Sequence, residues 1–188
     1  MKLNFAKGAW QTGNAVYAYS YRFDGTPEFI QNDDCVENRE NSAAMYDWDN
    51  VSLLSRAPYT AGAKITAECA FSGAAAPLIV IADKLYEENG ALKYGDYIEV
   101  VLWKNGVNVW RMKMDEEKTV TWKKLLGITL PYAEDVRHTL SVSINKEHLE
   151  IEADALSVTL DVQDLYETFH LGIDACEGLC RFYSMEII

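Results

Sequence analysis

The side chains best suited to holding a polar ligand occupy alternate positions of two neighbouring runs. Tyr97, Glu99, Val101 and Trp103 alternate through Tyr94–Trp103, and Asn108, Trp110, Met112 and Met114 alternate through Val107–Met114. Between them lies Asn105-Gly106, a dipeptide favoured in two-residue hairpin turns because both central residues need positive φ. A turn centred there predicts Trp103 opposite Asn108, Val101 opposite Trp110, Glu99 opposite Met112 and Tyr97 opposite Met114. One face of the predicted hairpin then carries rings, a carboxylate and an amide. The other carries Ile98, Val100, Leu102, Val107 and Val109, with Arg111 as the exception. The aliphatic face suits the interior of a sandwich. Rings beside a few polar groups suit a binding surface, since apolar area supplies affinity and polar groups supply orientation. A pyranose, with C–H groups on one face and hydroxyls at its rim, matches such a surface.

Each group has a chemical use and a plain alternative. Tyr97, Trp103 and Trp110 can stack on a sugar ring, or they can pack under a loop such as 86–92. Glu99 can accept hydrogen bonds from hydroxyls or act in acid–base catalysis, because enclosure among rings raises a carboxyl pKa toward neutrality. Its alternative is an ion pair with Lys113, Arg111 or another arginine. His170 and Asp174 share a strand face, with Glu177 just beyond, so His170 is a candidate base with an acid to orient it; otherwise both face water. Asp83 and Lys84, after an apolar strand, can rim a cleft. His138 and His148 lie near hairpin ends and read as surface residues. Tyr17, Tyr19, Tyr21 and Phe23 alternate as a second aromatic stripe, for which core packing is the competing role.

The elements that must position these groups are strands. Period-two patterns recur over 64–71, 139–145, 149–153, 169–175 and 181–188, and Pro77–Ala82 is a continuous apolar run of the kind a doubly covered strand shows. Weaker strand signals fall at 28–31, 47–55, 119–123, 127–131 and around Val158 and Leu160. A short helix is predicted only at 161–168. Many short strands separated by turns define an all-β chain, an antiparallel sandwich or barrel. With 188 residues and no internal repeat or linker, a single domain over 1–188 is expected.

The closing residues resemble the concanavalin A-like lectin and glucanase superfamily. Phe169-His-Leu-Gly-Ile-Asp-Ala175, a Glu-Gly turn and Arg181-Phe-Tyr-Ser-Met-Glu-Ile187 are similar to the two last strands of those jelly rolls. Tyr94-Gly-Asp-Tyr-Ile-Glu-Val100 resembles the aromatic–acid strand of sugar-cleaving members, including the 3-keto-disaccharide hydrolases. The resemblance implies a jelly-roll sandwich and a carbohydrate ligand. It does not extend to the paired-acid strand of the bacterial glucanases: Tyr97 and Val101 stand where partner acids would flank Glu99. Three functions therefore remain: a glycoside-binding protein, a glycoside-cleaving enzyme, and a structural subunit that uses the aromatic face against another subunit or a second copy.

Charge and cysteines narrow the partners. The formal charge is −12, with no basic cluster, which argues against nucleic acid and anionic membranes. No apolar run is long enough to span a bilayer, and the first ten residues contain no leader-like apolar stretch, so the expectation is a cytoplasmic protein or one whose leader has been removed. Cys69 alternates with apolar neighbours and reads as a buried thiol; Cys176 and Cys180 do not have zinc-knuckle spacing. Free thiols and no metal site are expected, and no cofactor can be named.

Overall fold

In a computed structural model that describes all residues 1–188, the chain forms strands and no helix. A seven-stranded sheet runs Val120–Thr129, Gly106–Met114, Tyr97–Trp103, Ala76–Ala82, His170–Cys176, Val51–Ser55 and Ala15–Tyr17 in spatial order. An eight-stranded sheet faces it. Its order is Leu156–Asp161, His148–Ala153, His138–Ile144, Lys64–Ser72, Leu179–Ile187, Val36–Glu37 and Ile30–Gln31, with Lys2–Asn4 also paired to Leu179–Ile187. Both sheets are antiparallel throughout, so the molecule is an all-β sandwich.

Strand composition explains the layering. Side chains alternate between faces, and the inner positions of both sheets are almost all aliphatic or Phe. They merge into one core of 36 buried residues that extends from Leu3 to Ile187. Ile98, Val100, Leu102, Val107 and Val109 lie in it with no exposed surface, as the alternation predicts. Ala76–Ala82 is buried at every position because its outer face is covered as well. That cover is a small third sheet in which Ala91–Tyr94 pairs antiparallel with Tyr86–Glu88 and parallel with Tyr19–Ser20. Beneath it lies a second apolar cluster containing Ala18, Leu54, Val80, Ala82, Tyr94, Tyr97 and Met112. The cover stops short of the Trp103 end of the sheet, which leaves that end open.

Several expectations are corrected. The hairpin turns at Lys104-Asn105, with Trp103 opposite Gly106, Val101 opposite Asn108, Glu99 opposite Trp110 and Tyr97 opposite Met112. Neither Lys104 nor Asn105 takes positive φ; Gly106 does, at 149°, and a β-carbon there would strike the carbonyl of Ile128. The glycine is thus needed for close approach to the edge strand. The weak signals at 119–123 and 127–131 are one strand, broken in pattern by a bulge that puts two residues, Lys124 and Leu126, opposite the adjacent Trp110 and Val109 with Leu125 between. The predicted helix at 161–168 is instead a loop of turns after Asp161. There Gln163 and Asp164 carbonyls accept bonds from Arg111, both at 2.6 Å, which is how the aliphatic face tolerates that guanidinium. The tyrosine stripe is not one face: the chain leaves the large sheet at Ala18, so Tyr17 packs on the main core while Tyr19 joins the third sheet. His138 is buried, not a surface residue; it bridges Asp154 (2.7 Å) and the Ala133 carbonyl (2.8 Å) and stacks on Phe71.

Candidate functional site

The uncovered end of the seven-stranded sheet forms a cleft of about 390 Å³. Glu99, Val101 and Trp103 enter it from one strand, Asn108 and Trp110 from the next, and Trp122 from the edge strand. Leu78 and Ala76 form the floor, and Ala74, Cys176 and Glu177 close the end nearest the turns. Arg22, which follows the Tyr19–Ser20 strand, closes the other side. Part of the predicted aromatic–acid face thus lines a concavity, and five of its residues, Glu99, Val101, Trp103, Asn108 and Trp110, meet there.

The rings form a connected wall. Trp110 meets Trp122 edge-on at 6.4 Å between centroids, Trp122 meets Tyr97 at 5.8 Å, and Tyr97 meets Tyr94 at 5.1 Å. Two cations brace it: the Arg22 guanidinium lies 4.2 Å from the Trp122 ring centre and the Lys124 ammonium 5.3 Å from that of Trp110. Gly127 makes room for Lys124, since a β-carbon there would press on its end and on Asn108 Oδ1. The bulge matters here because it turns Lys124 onto the cleft side beside Trp110. Trp103 Nε1 is buried with no hydrogen-bond partner.

Glu99 is half-buried at the centre. Its carboxyl is pushed up to about 8, first by loss of solvation, then by repulsion from Asp174; the Arg22 charge opposes the shift and Glu177 adds to it. Arg22 gives Nη2 to the Tyr46 hydroxyl at 3.2 Å and attracts Glu99 through space. The raised pKa favours the protonated form of Glu99, which can both donate and accept a hydrogen bond. Tyr97 is 1% exposed and lies beneath the cleft wall; its hydroxyl accepts a bond from Ser20 Oγ at 3.1 Å, and burial drives its pKa upward.

Asp174 is not open to the cleft. It is 3% exposed and fully engaged, accepting bonds from Ser52 (2.5 Å), Tyr94 (3.1 Å) and Asn50 (2.9 Å). Burial pushes its pKa up to about 7, against the pull of those donors and Arg22. Its bearing on the site is electrostatic: when ionised it adds to the upward shift that desolvation gives Glu99. His170 and Asp83 lie at the other end of the sheet, outside the cleft lining. His170 Nδ1 bonds the Ser55 carbonyl at 2.9 Å, and it sits six residues along the strand from Cys176, about 20 Å away. Asp174 lies four residues along the same strand and Glu99 two strands and two positions away, each on the order of 12 Å from His170 between α-carbons, so neither is its partner. No cluster of three His, Cys, Asp or Glu side chains is placed to hold a metal ion.

Sequence reasoning alone missed Arg22 and Trp122, and it linked Glu177 to the wrong neighbours. Trp122 had a usable signal: once a bulge is allowed near Leu125, it falls opposite Met112 on the aromatic face. Arg22 had none, because only the third sheet brings it over the cleft.

No known family profile matches the chain, and no curated protein sequence does. Solved structures are similar along nearly its whole length. β-Agarase A from Zobellia galactanivorans superposes with a TM-score of 0.69 at 9% identity, covering 99% of this chain and 88% of the agarase. A glycoside hydrolase family 16 endo-glucanase from Bacteroides ovatus, in complex with G4G3G-2F-DNP, gives 0.64 at 11% identity, covering 100% and 99%. The carbohydrate binding module CBM66 from Bacillus subtilis gives 0.61 at 8%, covering 90% and 91%. At these identities the likeness is one of architecture, and the fold is the concanavalin A-like jelly roll that the closing strands resemble.

Proposed function

We propose that the cleft binds a carbohydrate or glycoside. The observation that carries this reading is the meeting of three tryptophans with an acid that no protein group hydrogen-bonds. In a protein interior such an acid would destabilise the fold without return; facing a cleft, it is free for a ligand hydroxyl. Trp103, Trp110 and Trp122 supply apolar surface, with Trp110 offering the face that Lys124 does not cover. Glu99, Asn108 and Arg22 supply polar contacts. The named functions of the structural neighbours, agarose and glucan cleavage and carbohydrate binding, support the same ligand class.

The test is calorimetric titration with glucan and agarose oligosaccharides of one to six units and with 3-keto disaccharides. Binding that Trp110→Ala and Glu99→Ala each weaken at least tenfold is expected. Unchanged affinity in both variants, or no binding of any sugar, would sink the reading.

The elevated pKa of Glu99 favours a second reading, cleavage of the bound glycoside. The protonated Glu99 would give its proton to the leaving oxygen as the bond to the anomeric carbon breaks. Exposed Glu177 at the rim of the same cleft would take a proton from the attacking water. On a 3-keto sugar, ionised Glu99 would instead remove the proton from the carbon between the carbonyl and the anomeric carbon; the glycosidic C–O bond would break by elimination, the leaving oxygen would take a proton from water, and turnover would rise with pH. The His170 role falls away in either scheme because of its distance from the cleft. Glu99→Gln that keeps sugar affinity but loses product release is the expected result; full turnover in that variant rules cleavage by Glu99 out. A protein-interface role for the same face predicts a stable oligomer that Trp110→Asp dissociates.

A further inference from the structure

The cleft does not end at its turn-side rim. Ala74 and Glu177 line it on one side and, on the other, line an open trough completed by Met45, Tyr46, Asp47, Trp48, Ser72 and Leu179. The two concavities are therefore continuous over a low ridge of one alanine and one glutamate. Like the cleft, the far trough sets aromatic surface, from Tyr46 and Trp48, beside carboxylates, from Asp47 and Glu177.

The loop that supplies this surface is built to hold still. Asp49 beneath it is 5% exposed and accepts bonds from Arg39 Nε (3.1 Å) and Asn41 Nδ2 (2.6 Å), while Asn38 Nδ2 holds its carbonyl (3.0 Å). The Asn41 amide bonds the Asp47 carbonyl, which closes the loop, and Asn41 Oδ1 caps the Ala43 amide. Glu40 and Trp48 pair as an isolated bridge. On this fixed frame Met45 is 68% exposed. With the half-buried Trp48 beside it in the same trough, Met45 makes an apolar patch that adjoins the cleft. Tyr46 also ties the loop to the cleft, since its hydroxyl takes the Arg22 bond and its ring meets Phe23.

We propose that the ligand is a chain, an oligosaccharide or polysaccharide that fills the cleft and crosses the Ala74–Glu177 ridge to lay further units against Trp48 and Met45. This rests on the carbohydrate reading of the cleft. Glu177 at the ridge would bond hydroxyls of the unit that crosses it. One or two units would occupy the cleft and leave the trough bare, so affinity should rise with length beyond two units.

The experiment is titration of the same glucan and agarose ladders against the native chain, Trp48→Ala, Met45→Ala and Trp110→Ala. Affinity of the native chain should rise on the order of tenfold between the two- and six-unit sugars, the gain typical of one further ring contact. Trp48→Ala should lose that gain and keep the two-unit affinity. Met45→Ala, at an exposed site where folding is not at issue, should lose part of it. Trp110→Ala should lose binding at every length. Affinity that is flat with length, or a full length gain in both loop variants, overturns the chain proposal and leaves the cleft reading intact. Loss of all binding only in Trp110→Ala with no length effect does the same. No binding at any length removes both.

Discussion

The two faces of the hairpin Tyr97–Met114 share strands, turn and backbone, yet they serve opposite ends. Inward, Ile98, Val100, Leu102, Val107 and Val109 are wholly buried and wholly aliphatic. Outward, Glu99, Trp103, Asn108 and Trp110 are each partly open, and one of them carries a carboxyl held near neutrality in its titration. The inner face gains stability from area removed from water and admits a polar group only at Arg111, where loop carbonyls accept its bonds. The outer face forgoes part of that gain to keep polar groups ready. The lesson is that in a strand buried on one side, adjacent residues can belong to different free-energy problems.

This contrast is most sharply tested by deletion on each side. Ile98→Ala should cost about 2–5 kcal/mol in denaturant unfolding, the range for removing a large aliphatic group from a packed core. Trp110→Ala, one strand away, should cost about 1 kcal/mol or less because its ring is partly exposed and already lies at a surface. Equal losses would make the cleft wall part of the core and erase the distinction. A backbone version is Gly172→Ala, whose β-carbon would strike the Leu53 carbonyl and Leu54. Unfolding should show a loss of about 1–3 kcal/mol, an overpacking cost; a neutral variant would mean the neighbouring strand can yield.

The pH dependence distinguishes the faces by a different route. Glu99 and Asp174 have folded pKa values raised to about 8 and about 7, from ordinary values of 4.5 and 3.8. Across that window these two groups bind more protons in the folded protein than in the unfolded chain, so their contribution to stability is full below pH 4, falls as pH rises and levels off above pH 8. Glu99→Gln should flatten the upper part of the fall in melting curves taken between pH 5 and 9. An unaltered slope would mean that Glu99 ionises freely. Removing the opposing charge should act in reverse: Arg22→Met should raise the Glu99 pKa further, read by carbon-detected NMR of the carboxyl. A downward shift would contradict the placement of the guanidinium. The smallest effect is expected at Met45→Ala, within about 0.5 kcal/mol of the native stability, as for an exposed side chain.

Much of this was legible in residue order. The face assignment survived although the predicted register was displaced by two residues, because a slide of two keeps every side chain on its own face. What misplaced the turn was local: Asn105-Gly106 matches a preferred dipeptide, while the glycine is needed to clear Ile128 on the third strand. Trp103, Trp110, Glu99 and Asn108 were found because they lie within one hairpin. His170 and Asp174 were grouped because they alternate on one strand, but alternation fixes a face and says nothing of which stretch of that face is covered. The third sheet seals Asp174 in and leaves His170 at the far end. Arg22 reaches the cleft through tertiary pairing alone, so no periodicity announced it. The helix expected at 161–168 was a pattern too short to outweigh turn chemistry.

The bulged edge strand Val120–Thr129 has one more consequence. It is ten residues long and forms one end of its sheet, so its outer row of amides and carbonyls is free to pair with another chain. A flat strand of that length, with Trp122 at 36% exposure, would invite edge-to-edge growth into larger aggregates. The bulge at Leu125 twists the strand out of the regular repeat such pairing needs, and Lys123 and Lys124 add charge beside it. The irregularity that aims a lysine at the cleft therefore also serves as a guard on solubility, which makes this short stretch harder to regularise than its exposure alone implies.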